Sequence, residues 1–168
     1  SPISERDRQS EIRSALIQEI ETLRDEQTAW PILTDFDRLE LAFDMLEDRD
    51  IVARQNFTCC GTCGAAEISV EIEDFEFFGR KARGYVFFHQ QDTESAIESG
   101  NLYLSYGASN NTADAIFLQI GQEIFDTLKS VGLKVQWDGK LEHRIGVTME
   151  WQRRWESAVP TPMKRWPF

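Results

Sequence analysis

Gly84-Tyr85-Val86-Phe87-Phe88-His89 is an apolar, aromatic run of strand length, and the residues after it decide the fold. Asp92 or Thr93 can cap a short helix through Ser99, which Gly100 is placed to stop. Leu102-Tyr103-Leu104-Ser105-Tyr106 then alternates as a second strand. A strand, a helix and a strand inside residues 84–106 point to helices laid on a sheet.

The pattern continues toward the C-terminus. Thr112 or Asp114 opens a long helix with Ile116, Ile120, Ile124 and Leu128 as its stripe, ending at Gly132. Leu133 to Trp137 reads as a third strand and Asp138-Gly139 as a turn. His143 to Trp151 gives a fourth strand, with Ile145, Val147 and Met149 on one face.

Toward the N-terminus, residues 5–28 read as a helix striped by Ile12, Leu16, Ile20 and Leu23 and ended by Trp30-Pro31. Thr34 or Asp35 caps a second helix striped by Phe36, Leu39, Phe43 and Leu46. Ile51 to Phe57 looks like a short strand leading into a cysteine cluster. After Gly64, Ile68, Val70 and Ile72 alternate as in a strand, whereas Ala65, Ile68, Ile72, Phe75 and Phe78 keep helical spacing for longer. Length favours the helix. The expected architecture is α+β: a small mixed sheet of about four strands, packed with N-terminal helices and one long C-terminal helix. It is expected as a single domain over 1–168, with a helical extension at 1–33, a core at 34–152 and an aromatic, proline-containing tail at 153–168.

A chain of 168 residues with 41% hydrophobic content, eleven Phe and five Trp can build a core without a metal or disulfide. The formal charge is -11, and it is uneven: residues 1–100 carry 22 acidic and 10 basic side chains, residues 101–168 carry 7 and 8. Phosphate backbones would be repelled by the first part, which argues against nucleic acid. A basic protein partner suits it, and solubility alone also accounts for such a face. No apolar run approaches the roughly 20 residues that span a bilayer. The start, Ser1-Pro2-Ile3-Ser4-Glu5-Arg6-Asp7-Arg8, is too polar for a secretory signal. Three cysteines packed into five residues make no disulfide framework, so a reducing, cytoplasmic location is expected.

The sharpest chemical feature is Cys59-Cys60-Gly61-Thr62-Cys63-Gly64. Cys60-x-x-Cys63 lets two thiolates grip one tetrahedral ion, or lets two thiols form a local disulfide. Glycines 61 and 64 supply backbone freedom for such a knuckle. Zinc wants four ligands, and the candidates for the remainder are Cys59, His89, His143 or an acid. Neighbouring Cys59 and Cys60 are expected to point apart, which makes His89 the favoured third ligand. Inert, partly buried thiols are the plain alternative.

His89-Gln90-Gln91-Asp92 is a second candidate binding segment, at a strand-to-helix junction where polar side chains meet backbone N–H groups. His89 oriented by Asp92 and joined to Cys63 would make a Cys-His-Asp set. The plain alternative is that His89 bonds the backbone while Asp92 caps the helix. Trp151-Gln152-Arg153-Arg154-Trp155 alternates aromatics with arginines, which are expected to pair with the acidic N-terminal helices. Gly-rich phosphate loops, a nucleophile elbow and paired metal-binding histidines are absent from the sequence.

The segments Phe57 to Gly64, Gly84 to Glu94, Leu102 to Gly107 and Val135 to Gly139, taken together, resemble a family of small bacterial proteins classed as a domain of unknown function, over roughly residues 34–152. The resemblance implies a bacterial, cytosolic protein and carries no activity with it. Function is expected to be that of an acidic protein-binding module, of the inhibitor or immunity type. The rival is a zinc-stabilised domain with thiol- or histidine-based activity.

Overall fold

The computed structural model describes residues 4–109 and 113–154. Five helices run Glu5–Gln27 (α1), Asp35–Asp48 (α2), Gly61–Phe77 (α3), Gln90–Ser99 (α4) and Asp114–Ser130 (α5). Five strands run Ile51–Arg54 (β1), Gly84–Phe87 (β2), Asn101–Ala108 (β3), Lys134–Gln136 (β4) and Ile145–Thr148 (β5). Contacts divide the chain into two units, one spanning Leu33–Trp151 and the other made of the segments on either side of it.

The larger unit is a five-stranded mixed sheet in the order β1-β2-β3-β5-β4. β1 pairs parallel to β2, with Ile51 opposite Gly84 and Arg54 opposite Phe87. Every other pairing is antiparallel. The helix reading of residues after Gly64 is therefore the right one, and topology explains it. Two parallel neighbours need a crossover of a dozen residues or more, usually helical, and α3 is that crossover.

One face of the sheet carries the main core. Ile51, Val86, Leu102, Leu104, Ile145 and Val147 pack there with Phe36, Leu39, Phe43 and Leu46 of α2 and with Ile120, Ile124 and Leu128 of α5. Each fully buried Leu or Ile contributes about 2 kcal/mol. Trp151 closes one end, edge-on to Phe36 at 5.1 Å and to Phe88 at 6.1 Å. Alternation along β1 and β2 sends Val52 and Phe87 to the opposite face, where α3 brings Ile68; all three are buried. Arg54 links the helices of the two faces, donating to Glu71 of α3 at 2.6 Å and to Glu47 of α2 at 2.5 Å.

The helix ends follow their sequence signals. Thr34 caps α2 in a reciprocal box with Asp37. Gly100 ends α4 in the left-handed conformation, φ 75°, and Gly132 follows α5 with φ 93°. The strand expected over 51–57 is paired only to Arg54, and α5 is preceded by Ala113 in an extended conformation. Thr112, the alternative opener, and Trp155 with the tail lie outside the described residues. The helix expected over 5–28 forms as α1. Ile20 is buried, whereas Ile12 is 63% and Leu16 55% exposed. In the same unit, an Arg154 Nη2 donates to the Pro31 carbonyl.

Candidate metal centre

The parallel β1–β2 pair positions the site. Both strands point the same way, so their carboxyl ends lie side by side and each feeds a helix, α3 from β1 and α4 from β2. Backbone bonds extend the pairing beyond the strands. Phe57 N–H donates to the Phe88 carbonyl at 2.8 Å, and Gln90 N–H donates to the Thr58 carbonyl at 3.1 Å. The cysteine loop and the His89 segment, 26 residues or more apart in sequence, thus become neighbours.

In the cysteine loop, the backbone is left-handed at Asn56 (φ 48°) and Thr58 (φ 61°), then extended at Cys60 (φ -153°). Thr58 Oγ1 donates to the Cys60 carbonyl at 3.1 Å and holds the fold-back. The result corrects the expectation that Cys59 and Cys60 point apart. Their sulfurs are 3.9 Å from one another, Cys59 and Cys63 are 3.4 Å apart, and Cys60 and Cys63 are 3.6 Å apart. The closest pair is far beyond the roughly 2.05 Å of a disulfide, and all three are free thiols. Three sulfurs at this spacing can hold one metal ion.

Cys60 is the N-cap of α3 and Cys63 lies in its first turn, which contains no acidic residue. The Cys60 thiol is held below its ordinary value, first by the backbone N–H of Cys63 and then by the thiols of Cys63 and Cys59. Cys63 is pushed up to about 11, chiefly by the Cys59 and Cys60 thiols. The Cys60 proton is therefore released more readily than that of Cys63. A bound cation supplies what removing the Cys63 proton requires, because thiol ligands coordinate as thiolates.

Glycines 61 and 64 have a different purpose from the flexibility expected of them. Both lie inside α3. A Cβ on Gly64 would come within 2.5 Å of the Phe87 ring, so this glycine lets α3 sit against β2. A Cβ on Gly61 would find room, with His89 Nε2 3.7 Å away. That contact places the imidazole against the first residue of α3.

His89 itself is the N-cap of α4, and Asp92 is the third helical residue rather than the cap. Asp92 N–H donates to His89 Nδ1 at 3.2 Å, and His89 N–H donates to Asp92 Oδ2 at 3.1 Å. Nε2 also lies 3.0 Å from that oxygen. Burial lowers the His89 pKa below its usual 6.5, outweighing the pull of the Asp92 charge. Nδ1 is thus engaged by the Asp92 N–H, and Nε2 lies between the Asp92 carboxylate and Gly61 of the cysteine loop. His89 does not join the three-sulfur group. Gln90 and Gln91 are exposed on the first turn of α4. His143 bonds Asp138 at 2.5 Å on an exposed loop.

Sequence reasoning missed Arg144. Its Nη2 donates to Asp92 Oδ2 at 2.6 Å and to the Tyr103 carbonyl at 2.6 Å. No spacing signals a partner 52 residues away; only the β3–β5 pairing, Leu104 opposite Ile145, brings it there.

The fold and site together define an α+β domain carrying a three-thiol group where a parallel strand meets its crossover helix. The family described as domain of unknown function, DUF6891, matches residues 3–155, and the chain belongs to it. That match reaches beyond the 34–152 segment expected from the motifs and takes in α1. No curated protein and no solved structure matches the chain. Among the described residues, no helix is long and apolar enough to cross a membrane.

Proposed function

We propose that this domain binds zinc through Cys59, Cys60 and Cys63 at the N-terminus of α3, with solvent in the fourth position. The sulfur triangle carries the reading. Zinc–sulfur bonds of about 2.3 Å in a tetrahedron put sulfurs about 3.8 Å apart, and the observed edges are 3.4, 3.6 and 3.9 Å. The N-terminus of α3 adds a favourable field for a group that becomes anionic with three thiolates. Three protein ligands with one open position is the pattern of a zinc that does something, whereas structural sites are closed by four. The main core contains none of the cysteines, which also separates the ion from folding.

Elemental analysis of protein purified without chelator or metal-affinity resin tests this. About one zinc per chain is expected, and Cys60→Ser or Cys63→Ser should weaken binding by about 100-fold, each thiolate contributing about 3 kcal/mol. Cobalt loaded in its place should show intense near-ultraviolet sulfur-to-metal bands. Zinc far below one per chain, with no such bands, ends the proposal.

A second reading, binding of a basic protein partner, draws on the charge of -11 and on the outer face of α3. Glu67, Glu73 and Asp74 are exposed there, beside Val70 at 54% and Phe77 at 84% exposure. Capture of a partner that weakens steeply with salt supports it. Capture insensitive to salt counts against it.

A further inference from the structure

Building on the zinc reading, we infer that the same three-thiol group is an oxidation site at which a hydroperoxide joins Cys60 to Cys63 and expels the ion. Cys63 is the sulfur that the other two share, 3.4 Å from Cys59 and 3.6 Å from Cys60. Joining Cys60 to Cys63 closes that gap by about 1.5 Å, a movement within reach of two side-chain rotations at a helix cap and first turn. Cys59 and Cys60 are adjacent residues and farther apart, at 3.9 Å. A disulfide between them would strain the intervening peptide. Exposure of Cys59 marks the group as open to solvent and hence to a small oxidant. The left-handed loop held by Thr58 brings the three together.

The chemistry balances with a hydroperoxide as the named oxidant. The Cys60 sulfur attacks the terminal peroxide oxygen; an S–O bond forms, the O–O bond breaks, and the departing alkoxide takes a proton to leave as an alcohol. The Cys63 sulfur then attacks the Cys60 sulfur; the S–S bond forms, the S–O bond breaks, and hydroxide leaves with the Cys63 proton as water. Two thiols lose two electrons and the O–O bond gains them. With hydrogen peroxide the alcohol is a second water. When zinc is bound, Cys60 and Cys63 enter as thiolates and solvent supplies the protons. The ion is left with Cys59 alone and departs, while the Leu33–Trp151 core remains folded.

The test adds one equivalent of hydrogen peroxide to zinc-loaded and to metal-free protein. Released zinc is read with a colorimetric chelator, and disulfides are mapped by mass spectrometry. Both samples should form the Cys60–Cys63 bridge, reversed by dithiothreitol. The loaded sample should lose zinc in step with the bridge, up to about one ion per chain. Cys63→Ser should form no such bridge and should accumulate a Cys60 sulfenic acid trapped by dimedone, while Cys59→Ser still forms it. Sulfinic acids on separate cysteines, or disulfides between chains through Cys59, in place of the bridge would overturn the inference. Zinc binding without the bridge refutes the switch and leaves the zinc reading standing. The bridge without any zinc binding refutes the zinc reading and the ion-release step, while the oxidation site stands.

Discussion

The N-termini of α3 and α4 lie side by side and are finished in opposite ways. At α4, His89 and Asp92 bond each other's backbone N–H groups, Arg144 adds its guanidinium, and Asp92 is only 4% exposed. At α3, the cap is a cysteine without a conventional side-chain capping bond, and no acid sits in the first turn. A helix start leaves backbone N–H groups to be satisfied. The α4 start satisfies them from within and is therefore structural. The α3 start keeps its favourable field for thiolates and for whatever they hold, which is where chemistry can be placed.

Removing the acid from the closed end should have the largest effect. Asp92→Ala takes away the partner of His89 N–H and of Arg144, and should cost about 3 kcal/mol in urea unfolding. The figure is at the low end for a broken buried pair because the Arg144 side chain is 38% exposed. Thr34→Ala removes an ordinary cap from α2 and should cost about 1 kcal/mol. At the open end, Cys60→Ser in metal-free protein should change stability by less than about 0.5 kcal/mol. A cysteine variant as costly as Asp92→Ala would mean that the thiols are structural and would erase the contrast.

What was legible in the sequence depended on range. The α2 stripe, the strand at Gly84 and the Gly100 stop are local patterns, and each was readable because spacing along the chain carries the signal. The partners across the sheet were not. Parallel pairing of β1 with β2 brings residue 89 beside residue 61, and register along β3 and β5 brings Arg144 to Asp92. Neither leaves a mark in composition or periodicity. The cysteine geometry was half legible. Cys60-x-x-Cys63 announced two sulfurs, while the third depended on positive φ at Asn56 and Thr58, residues whose types permit that conformation without demanding it. In α1, single apolar residues at helical spacing show only that a face exists. They do not show that something covers it.

The two glycines of the cysteine motif sharpen the same comparison with an intermediate effect. Gly64→Ala places a methyl 2.5 Å from Phe87 Cε2 and 3.3 Å from Thr58 Oγ1, so α3 or the buried ring must move. The expected cost is about 2 kcal/mol, with zinc binding weakened as the loop shifts. Gly61→Ala meets only the edge of His89 at 3.7 Å. In a helix it should be neutral or stabilising by up to about 1 kcal/mol. Equal costs for both variants would show that the motif glycines serve the loop backbone instead of the contact between α3 and β2.

The smallest expected effect is a slope with pH. His89 keeps Nδ1 unprotonated to accept the Asp92 N–H, and burial holds its folded-state pKa below the unfolded value of 6.5. Below about pH 6.5 the unfolded chain gains a proton that the folded chain refuses, so unfolding becomes easier as pH falls. The loss should level off once the folded-state pKa is passed. His89→Asn supplies a cap that cannot titrate, and at pH 8 it should stay within about 0.5 kcal/mol of the parent. Urea melts of the two proteins from pH 8 to pH 5 should therefore diverge only below about pH 6.5, the parent losing more. Parallel curves would mean that the imidazole proton is accommodated inside the box, and that the α4 start is less closed than its bonds indicate.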